Sequence, residues 1–381
     1  MDKIIIQQPP RVVFGDGALT QFSEDFLSLG LKRLYLLTIT PVLSGLEAVT
    51  TAFGKNGVDV RINTEIEGEP TFNDFLNVLE DARRFGADSV AGIGGGSVLD
   101  VAKFLAAMLK NDQDVTSVVG IGLLKERKTY LACLPTTSGT GSEVSPNAIF
   151  LDESDGGKKG VISPFLVPDA AYVDPALTVG VPSLVTAATG IDALTHCIEA
   201  YMNRYAHPVV DVWALEGIKL ISKNLEEACR NGENLEARTA VALGSMYGGL
   251  CLGPVNTAAV HALAYPLGSQ YKVTHGLSNA LLLSYVLEYN RPEGDDRLAH
   301  IAIAMGIYNH GSLEKQADAA IGRIREIIET CNLPSGLSEI NIKPSDIEIM
   351  ADGAIKVQRL LKNNIKTLNR DDIIKIYQNA M

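Results

Sequence analysis

The pattern of apolar residues changes once along this chain of 381 residues, near position 184. Before that position, short runs rich in valine, isoleucine and leucine alternate with stretches of helical periodicity, and after it only helical stretches follow. Strands that alternate with helices predict a largely parallel sheet covered by helices, whereas helices alone predict a helical bundle. The sequence therefore predicts an α/β domain over residues 1–184 and an all-α domain over residues 185–381.

The composition indicates a globular protein with a large buried core. Hydrophobic residues make up 46% of the chain, and the net charge is −12. No block of lysine and arginine favours nucleic acid, and no apolar run is long enough for a membrane span or a signal peptide. The 5 cysteines are scattered without a CxxC pair, as is typical of reduced thiols. We expect a cytoplasmic protein that binds neither nucleic acid nor membrane.

A glycine-rich turn, residues 94–97, joins a predicted strand at 89–93 to a predicted helix at 98–109. Backbone N–H groups at a helix N-terminus attract phosphate, and glycine permits close approach because it has no Cβ. The spacing is not the GxGxxG of the common dinucleotide fingerprint, since Ser97 stands where the last glycine would be. Taken alone, the turn is compatible with a phosphate site or with a merely tight connection.

A second loop follows the predicted strand at 130–134 and is rich in small hydroxyl residues. It reads PTTSGTGSEV over residues 135–144. Threonine and serine hydroxyls donate and accept hydrogen bonds without bulk, which suits a polar ligand. An ordinary solvated loop has a similar composition, so the loop alone does not decide between the two interpretations.

The start of the helical domain holds side chains that suit a metal ion. Asp192 and His196 stand four apart in a predicted helix over 185–202, so they project from one face. His261 and His275 follow on either side of a predicted turn. One carboxylate and three imidazoles suit Fe(II), Zn(II), Ni(II) or Mn(II). An Asp–His pair at this spacing is also common on helix surfaces, and the spacing leaves that alternative open.

The wording of these segments resembles the iron-containing (group III) alcohol dehydrogenase family along nearly the whole chain. The motifs GIDALTHCIEAY, HALAYPLG and THG resemble its metal site, GIGGGSVLDVAK its pyrophosphate loop, and PTTSGTGSEV its second cofactor loop. The resemblance implies a dehydroquinate-synthase-like fold, NAD or NADP as cofactor, and a divalent metal, with Fe(II) the first choice. It also implies a homodimer or larger homo-oligomer that pairs through N-terminal strands, where the apolar run at 4–6 lies.

The resemblance assigns individual residues by motif. The expected metal ligands are Asp192, His196, His261 and His275. Asn147 and Tyr265 are expected to contact the substrate, and Tyr265 and His275 to act in catalysis. The residues expected to bind the cofactor are Thr38, Ile39, Thr40, Gly94, Gly95, Gly96, Ser97, Asp100, Thr136, Thr137, Thr140, Ser142, Val144 and Lys159, with Lys158 as the alternative to Lys159.

Two positions depart from the common pattern of the family. Tyr265 stands where many members have a histidine, and tyrosine is a much weaker base than histidine at neutral pH. The stretch at 38–40 lacks the aspartate that accepts hydrogen bonds from the adenosine ribose and repels a 2′-phosphate. Threonine hydroxyls there, with Lys32 or Arg33 upstream, are candidates to meet a 2′-phosphate. We therefore expect NADP(H) to be accepted, alone or alongside NAD(H).

Together these features predict a metal-dependent oxidoreductase that interconverts a small primary alcohol, or hydroxy acid, and its aldehyde. One alternative is a metal-dependent lyase of the dehydroquinate synthase type. That chemistry needs lysines and arginines around the metal, and only Lys272 lies near the last two histidines. The other alternative is an inactive relative that binds a sugar or nucleotide. Such proteins usually lose ligands, whereas all four are present here.

Overall fold

The computed structural model describes residues 3–154, 156–308 and 311–381. They form two compact units. The sheet unit comprises Ile6–Thr137 and Gly141–Thr178, and the helical unit comprises residues 3–5, Ser138–Thr140 and Val179–Met381. The sequence places the boundary later, after residue 184, which lies in the first turn of a helix that begins at Ser183. The difference arises because the last strand of the sheet already ends at Val173.

The order of strands and helices follows the predicted change of pattern. The strands are β1 (Arg11–Phe14), β2 (Arg33–Leu37), β3 (Asp59–Asn63), β4 (Ser89–Gly94), β5 (Gly120–Ile121), β6 (Tyr130–Pro135), β7 (Asn147–Asp152), β8 (Gly157–Ile162) and β9 (Ala170–Val173). The helices are α1 (Ala18–Ser28), α2 (Glu47–Lys55), α3 (Phe72–Phe85), α4 (Gly96–Met108), α5 (Ser183–Tyr201), α6 (Pro208–Arg230), α7 (Leu235–Leu252), α8 (Ala259–Tyr271), α9 (His275–Ala304), α10 (Leu313–Thr330), α11 (Ile347–Ala354), α12 (Gln358–Leu361) and α13 (Arg370–Asn379).

The sheet unit is built on a parallel sheet of six strands in the order β1-β9-β6-β4-β2-β3. Side chains alternate between its faces, and both faces are buried. In β2, Leu34 and Leu36 pack in a core with α1 and α2, whereas Tyr35 and Leu37 pack in a core with α3 and α4. The carboxyl ends of β2, β4 and β6 lie at the same edge, where ligands of such sheets bind.

A second, small sheet in this unit was not predicted. Strands β7 and β8 form an antiparallel hairpin, and β5 pairs with β8 in parallel. Strand β8 reads GKKGVI, whose two glycines and two lysines give no strand-like alternation. Packing supplies what the pattern lacks, because Phe150 of β7 is buried against Phe75 and Phe104.

The helical unit packs α5–α13 around one continuous apolar core. The sequence predicts a turn at Pro266 and a helix break at Pro292, and both predictions are wrong: α8 continues through Pro266, and α9 runs from His275 to Ala304 through Pro292. A proline removes one intrahelical hydrogen bond, and burial of the surrounding apolar face outweighs that loss here. Conversely, the helix predicted over 345–361 is divided into α11 and α12. Among the residues described, no helix is both long and apolar enough to cross a bilayer.

Candidate active site

Four side chains predicted as metal ligands meet in the helical unit. Helix α5 provides Asp192 and His196, α8 provides His261, and α9 begins with His275. From Asp192 Oδ1, the Nε2 atoms of His261, His275 and His196 lie 3.5, 3.6 and 3.9 Å away. One donor atom each from Asp192, His261 and His275 lies within 4.8 Å of the others. His275 is the most accessible of the set, with 28% of its side chain exposed.

Asp192, His196, His261 and His275, called the donor set from here on, suit a divalent cation. The Nε2 atoms of His196 and His261 are 3.0 Å apart in stacked rings, so two nitrogen lone pairs converge where a cation or shared proton must separate them. The amide nitrogen of Asn279 lies 2.6 Å from Asp192 Oδ1 and 3.2 Å from His261 Nε2. Asn279 Oδ1 is buried without a hydrogen-bond partner among the described residues. One carboxylate and three imidazoles suit borderline metals such as iron and zinc.

Glu199 supports this set from behind, and the sequence analysis did not include it. Its carboxylate lies 2.6 Å from His261 Nδ1 and accepts hydrogen bonds from the backbone N–H groups of Ala258 and Val260. A ligating histidine normally uses its second ring nitrogen in this way. The signal was available, because Glu199 stands seven residues after Asp192 and therefore on the same face of α5.

Glycine allows the helices that carry these ligands to approach one another. A Cβ on Gly276 would lie 2.3 Å from the carbonyl oxygen of Ala188, so only glycine lets the start of α9 contact the backbone of α5. A Cβ on Gly248 of α7 would lie 3.2 Å from the Cβ of His196. The glycine beside His275 is therefore a packing requirement of the metal site.

The buried charges alter the proton affinities of the donors. Burial opposes ionisation of Asp192, but the neighbouring His196, His275 and His261 outweigh it and hold the pKa of the carboxyl well below its usual range. Burial lowers the pKa of His196. Burial also acts to lower the pKa of His261, but Glu199 and Asp192 outweigh it and raise that pKa to about 9. The pocket thus concentrates negative charge, which favours a bound cation.

Tyr265 lies one helical turn after His261 on α8. It is 9% exposed, and its hydroxyl accepts a hydrogen bond of 2.6 Å from Arg359 Nη2 on α12. Its predicted role as a substrate contact or in proton transfer stays a prediction.

The glycine turn lies at the carboxyl end of β4, where α4 begins at Gly96. The first intrahelical bond runs from Leu99 N–H to the Gly95 carbonyl, so the N–H groups that precede it point out of the helix end. A Cβ on Gly94 would lie 2.7 Å from Val98 Cβ, whereas one on Gly95 would meet nothing nearer than 3.5 Å. Glycine is therefore needed at 94 for packing, and Gly95 leaves space for a ligand. The sequence also predicts positive φ angles for these glycines, and that prediction is wrong, since none occurs at 94–97; close approach is what they provide.

Residues of the second loop differ in what they contact: Thr137 lies beside the glycine turn, and Ser142 contacts side chains of the protein. The Thr137 hydroxyl lies 3.5 Å from the Cβ position of Gly95, next to the glycine turn. Ser142, however, donates its hydroxyl proton to Asp100, whose other carboxylate oxygen accepts from Ile149 N–H. Each oxygen of a carboxylate accepts more than one hydrogen bond, so the predicted role of Asp100 and the Ser142 hydroxyl as cofactor contacts stays a prediction, and within the protein these two groups contact each other. They order the loop, together with the buried Lys103 ammonium.

The remaining residues predicted to bind the cofactor or the substrate differ in how deeply they are buried and in whether they are paired within the protein. Thr136 and Val144 are buried in the sheet unit, Thr140 is half-buried in the helical unit, Lys159 is half-buried on β8, and Lys158 is paired with Glu69. Asn147 Oδ1 is buried without a hydrogen-bond partner among the described residues, as suits a polar group that awaits a ligand.

The structure of the loop after β2 contradicts part of the predicted 2′-phosphate site. The Thr38 hydroxyl donates to the Ile93 carbonyl and is fully buried, so its proton is not available to a ligand. Lys32 and Arg33 stand at the opposite end of β2, about 16 Å away at the rise of a strand. Ile39 is half-buried and Thr40 exposed, and these two remain at the edge where the ribose would lie.

Comparison with known proteins identifies the family. Residues 9–175 match the model of the iron-containing alcohol dehydrogenases, and residues 186–381 match that of the C-terminal part of the Fe-containing alcohol dehydrogenase family. The chain belongs to the iron-containing alcohol dehydrogenase family. It is therefore an alcohol dehydrogenase, and it has the dehydroquinate-synthase-like fold of that family, as predicted. The chemistry of this chain is that of the family: the interconversion of an alcohol and an aldehyde, which is linked to a nicotinamide cofactor and uses a divalent metal.

Relatives align over almost the whole chain. The long-chain-alcohol dehydrogenase 1 of Geobacillus thermodenitrificans is 37% identical, over 98% of this chain and 95% of the relative. The sulfoacetaldehyde reductase of Bilophila wadsworthia is 30% identical, over 97% of this chain and 96% of the relative. The crystal structure of a 1,3-propanediol oxidoreductase superposes with a TM-score of 0.96 at 30% identity and covers 100% of both chains. These names span different alcohols, so they leave the substrate open.

Proposed function

We propose that this enzyme oxidises a small primary alcohol, or reduces the corresponding aldehyde, at a metal held by Asp192, His196, His261 and His275. The convergence of these four donors within one buried pocket supports the assignment. Iron is our first choice by family, and the donor chemistry also admits zinc, nickel or manganese.

Different residues would hold the metal, orient its ligands and bind the cofactor during hydride transfer. A bound divalent metal supplies Lewis acidity, which favours the alkoxide form of the alcohol over the neutral form. Glu199 fixes the ring of His261 and so the direction of its Nε2 atom. The N–H groups around Gly95 and Gly96 bind the pyrophosphate, and Thr137 lies beside them. In the oxidation, the alcohol carbon gives a hydride to the nicotinamide and the alcohol oxygen gives up a proton.

The choice of dinucleotide is also a proposal. NADP(H) is accepted alongside NAD(H), because no aspartate stands at residues 38–40 to repel a 2′-phosphate. We further propose a cytoplasmic location, which fits the free state of all five cysteines.

His261→Ala tests the metal assignment. The variant should remain folded, bind little metal and lose at least about a hundredfold in activity, because the Lewis acid is lost. Metal content is measured by plasma emission after gel filtration, and aldehyde reduction by nicotinamide absorbance. His300→Ala is the matched control, since His300 lies on α9 and its Nδ1 contacts the Tyr201 hydroxyl instead. Full activity of thoroughly chelated wild-type enzyme would refute the proposal.

A further inference from the structure

Arg359 on α12 contacts Tyr265 and has no charge partner among the described residues. Its Nη2 donates 2.6 Å to the Tyr265 hydroxyl, and its guanidinium lies 5.8 Å from the centre of the Tyr265 ring. The residue is half-buried. Within the described part of the chain, no carboxylate oxygen lies within 4.0 Å of this guanidinium. An arginine has five N–H donors, and the phenol uses one of them.

Three other half-buried arginines of the helical unit are paired with carboxylates, whereas the buried Arg238 donates to the Gly232 and Val181 carbonyls and the Thr186 hydroxyl instead. Arg291 contacts Asp295, Arg297 contacts Asp211, and Arg323 contacts Glu226. Withdrawing a cation from water without a compensating anion is costly, so such a residue usually has a partner. Among the described residues, Arg359 has neither a carboxylate nor a carbonyl partner, and this points to an anionic partner from outside the chain.

The position of Arg359 relates it to the donor set. Tyr265 follows His261 by four residues on α8, which places it on the same helix face, about 6 Å further along the axis. Tyr265 is the residue that we expect to contact the substrate, and its hydroxyl accepts from Arg359, so this contact relates the guanidinium to a short molecule whose oxygen is at the donor set. A guanidinium matches carboxylate and related oxyanions with two parallel hydrogen bonds.

We infer that Arg359, oriented by Tyr265, binds the anionic end of the substrate, which is a short aldehyde, or its alcohol, that carries a carboxylate or sulfonate. The inference rests on the proposed function, because the donor set must hold the other end. It adds a specificity residue to that site and narrows the substrate class.

Matched substrates test the inference. The ratio of kcat/KM for 4-oxobutanoate over butanal, and for 2-oxoethanesulfonate over propanal, is measured in wild type and in Arg359→Gln. At least one ratio should exceed one in wild type and fall at least about tenfold in the variant, as expected for loss of a charge-assisted contact. The arm that responds distinguishes a carboxylate from a sulfonate. Arg359→Lys, which keeps the charge but loses the fork, should fall in between.

Binding without turnover separates the inference from the proposed function. Calorimetric titration of the metal-loaded protein with butyrate and with ethanesulfonate should show binding in wild type that weakens at least about tenfold in Arg359→Gln. Lys362→Gln, an exposed cation three residues away, is the control and should match wild type. Equal ratios and equal anion affinities in wild type and Arg359→Gln would overturn the inference. Failure to reduce butanal as well would instead count against the proposed function.

Discussion

Among single residues, Glu199 shows how α5 builds both a ligand pair and its support. Asp192 and His196 face the metal position, and Glu199, further along the same face, contacts His261 Nδ1 and two N–H groups at the start of α8. The carboxylate therefore fixes one ligand ring together with the helix that carries it. Carboxylates in this position orient a ligating histidine and increase its basicity.

Glu199→Gln should weaken the metal site while the protein stays folded. The variant keeps the side-chain size but replaces an acceptor oxygen by an NH2 group, which faces N–H donors. We expect metal affinity to fall about 10–100-fold, measured by competition with a chelator of known affinity. Glu216→Gln serves as the control because Glu216 pairs with Lys219 on the exposed face of α6. Equal affinities of wild type and Glu199→Gln would contradict the role.

Ile39→Asp should shift the cofactor preference toward NAD. The new carboxylate would lie at the end of β2, where it accepts from the ribose hydroxyl and repels a 2′-phosphate. The measured quantity is the ratio of kcat/KM for NAD to that for NADP, and we expect a rise of about tenfold or more, the worth of one charge-assisted contact. A wild type that rejects NADP would disprove our interpretation. In that case Glu65 would be the acid to replace by a neutral side chain. It follows β3, which lies next to the end of β2 because the Asn63 carbonyl of β3 accepts a hydrogen bond from Thr38 N–H.

At the scale of helices and strands, close contacts at glycine position the functional groups. Gly276→Ala should lower metal occupancy, since its Cβ would lie 2.3 Å from a backbone oxygen of α5 and cannot be relieved by rotation of a side chain. Helix α9 must then shift, and His275 with it. Metal content and melting temperature should both fall.

The matched control for that change is Gly322→Ala. Gly322 is exposed on α10, and a Cβ there has no heavy atom within 4 Å. Alanine in a helix interior is favoured over glycine by up to about 1 kcal/mol, so this variant should be as stable as wild type or more so. If Gly276→Ala behaved like Gly322→Ala and kept its metal, the packing argument would fail.

The glycine turn allows a similar comparison between neighbours. Gly95→Ala should fold normally, because its Cβ meets no atom nearer than 3.5 Å, yet raise the apparent KM for the nucleotide by blocking the pyrophosphate. Gly94→Ala should instead destabilise the protein by about 1–3 kcal/mol through overpacking against Val98. Thermal unfolding and cofactor kinetics on both variants distinguish packing from binding. An unchanged KM in Gly95→Ala would mean that this glycine only shapes the turn.

The elements also show what the sequence can and cannot predict. The inner strands of the six-stranded sheet were predictable because burial on both faces requires continuous apolar runs. Helix α9 was not, since Pro292 reads as a break unless the packing of the whole helix is known. Motif spacing brought Asp192 and His196 together, but the contact of Tyr265 with Arg359 joins residues 94 positions apart, and no local pattern indicates it.

On the scale of the whole molecule, the two edges of the large sheet differ. Strand β3 at one edge exposes Ile62 to 40%, but it also presents Asp59 and Arg61 to solvent, and exposed charges of this kind discourage pairing with another chain. Strand β1 forms the other edge, with Val12 40% exposed, and it follows a segment in which Ile5 is 70% exposed. Exposed apolar side chains next to an open strand edge favour pairing with a second copy.

The enzyme should therefore be a dimer that pairs through its N-terminal segment. Sedimentation velocity at micromolar protein should give a dimer for wild type. Ile5→Lys should shift it toward monomer, because a charge replaces apolar surface that the partner covers. Ile349→Lys is the control, since Ile349 is 57% exposed on α11 and lies on neither β1 nor the segment before it, so its substitution should leave the dimer intact. A monomeric wild type, or a dimer that withstands Ile5→Lys, would rule out this edge as the interface.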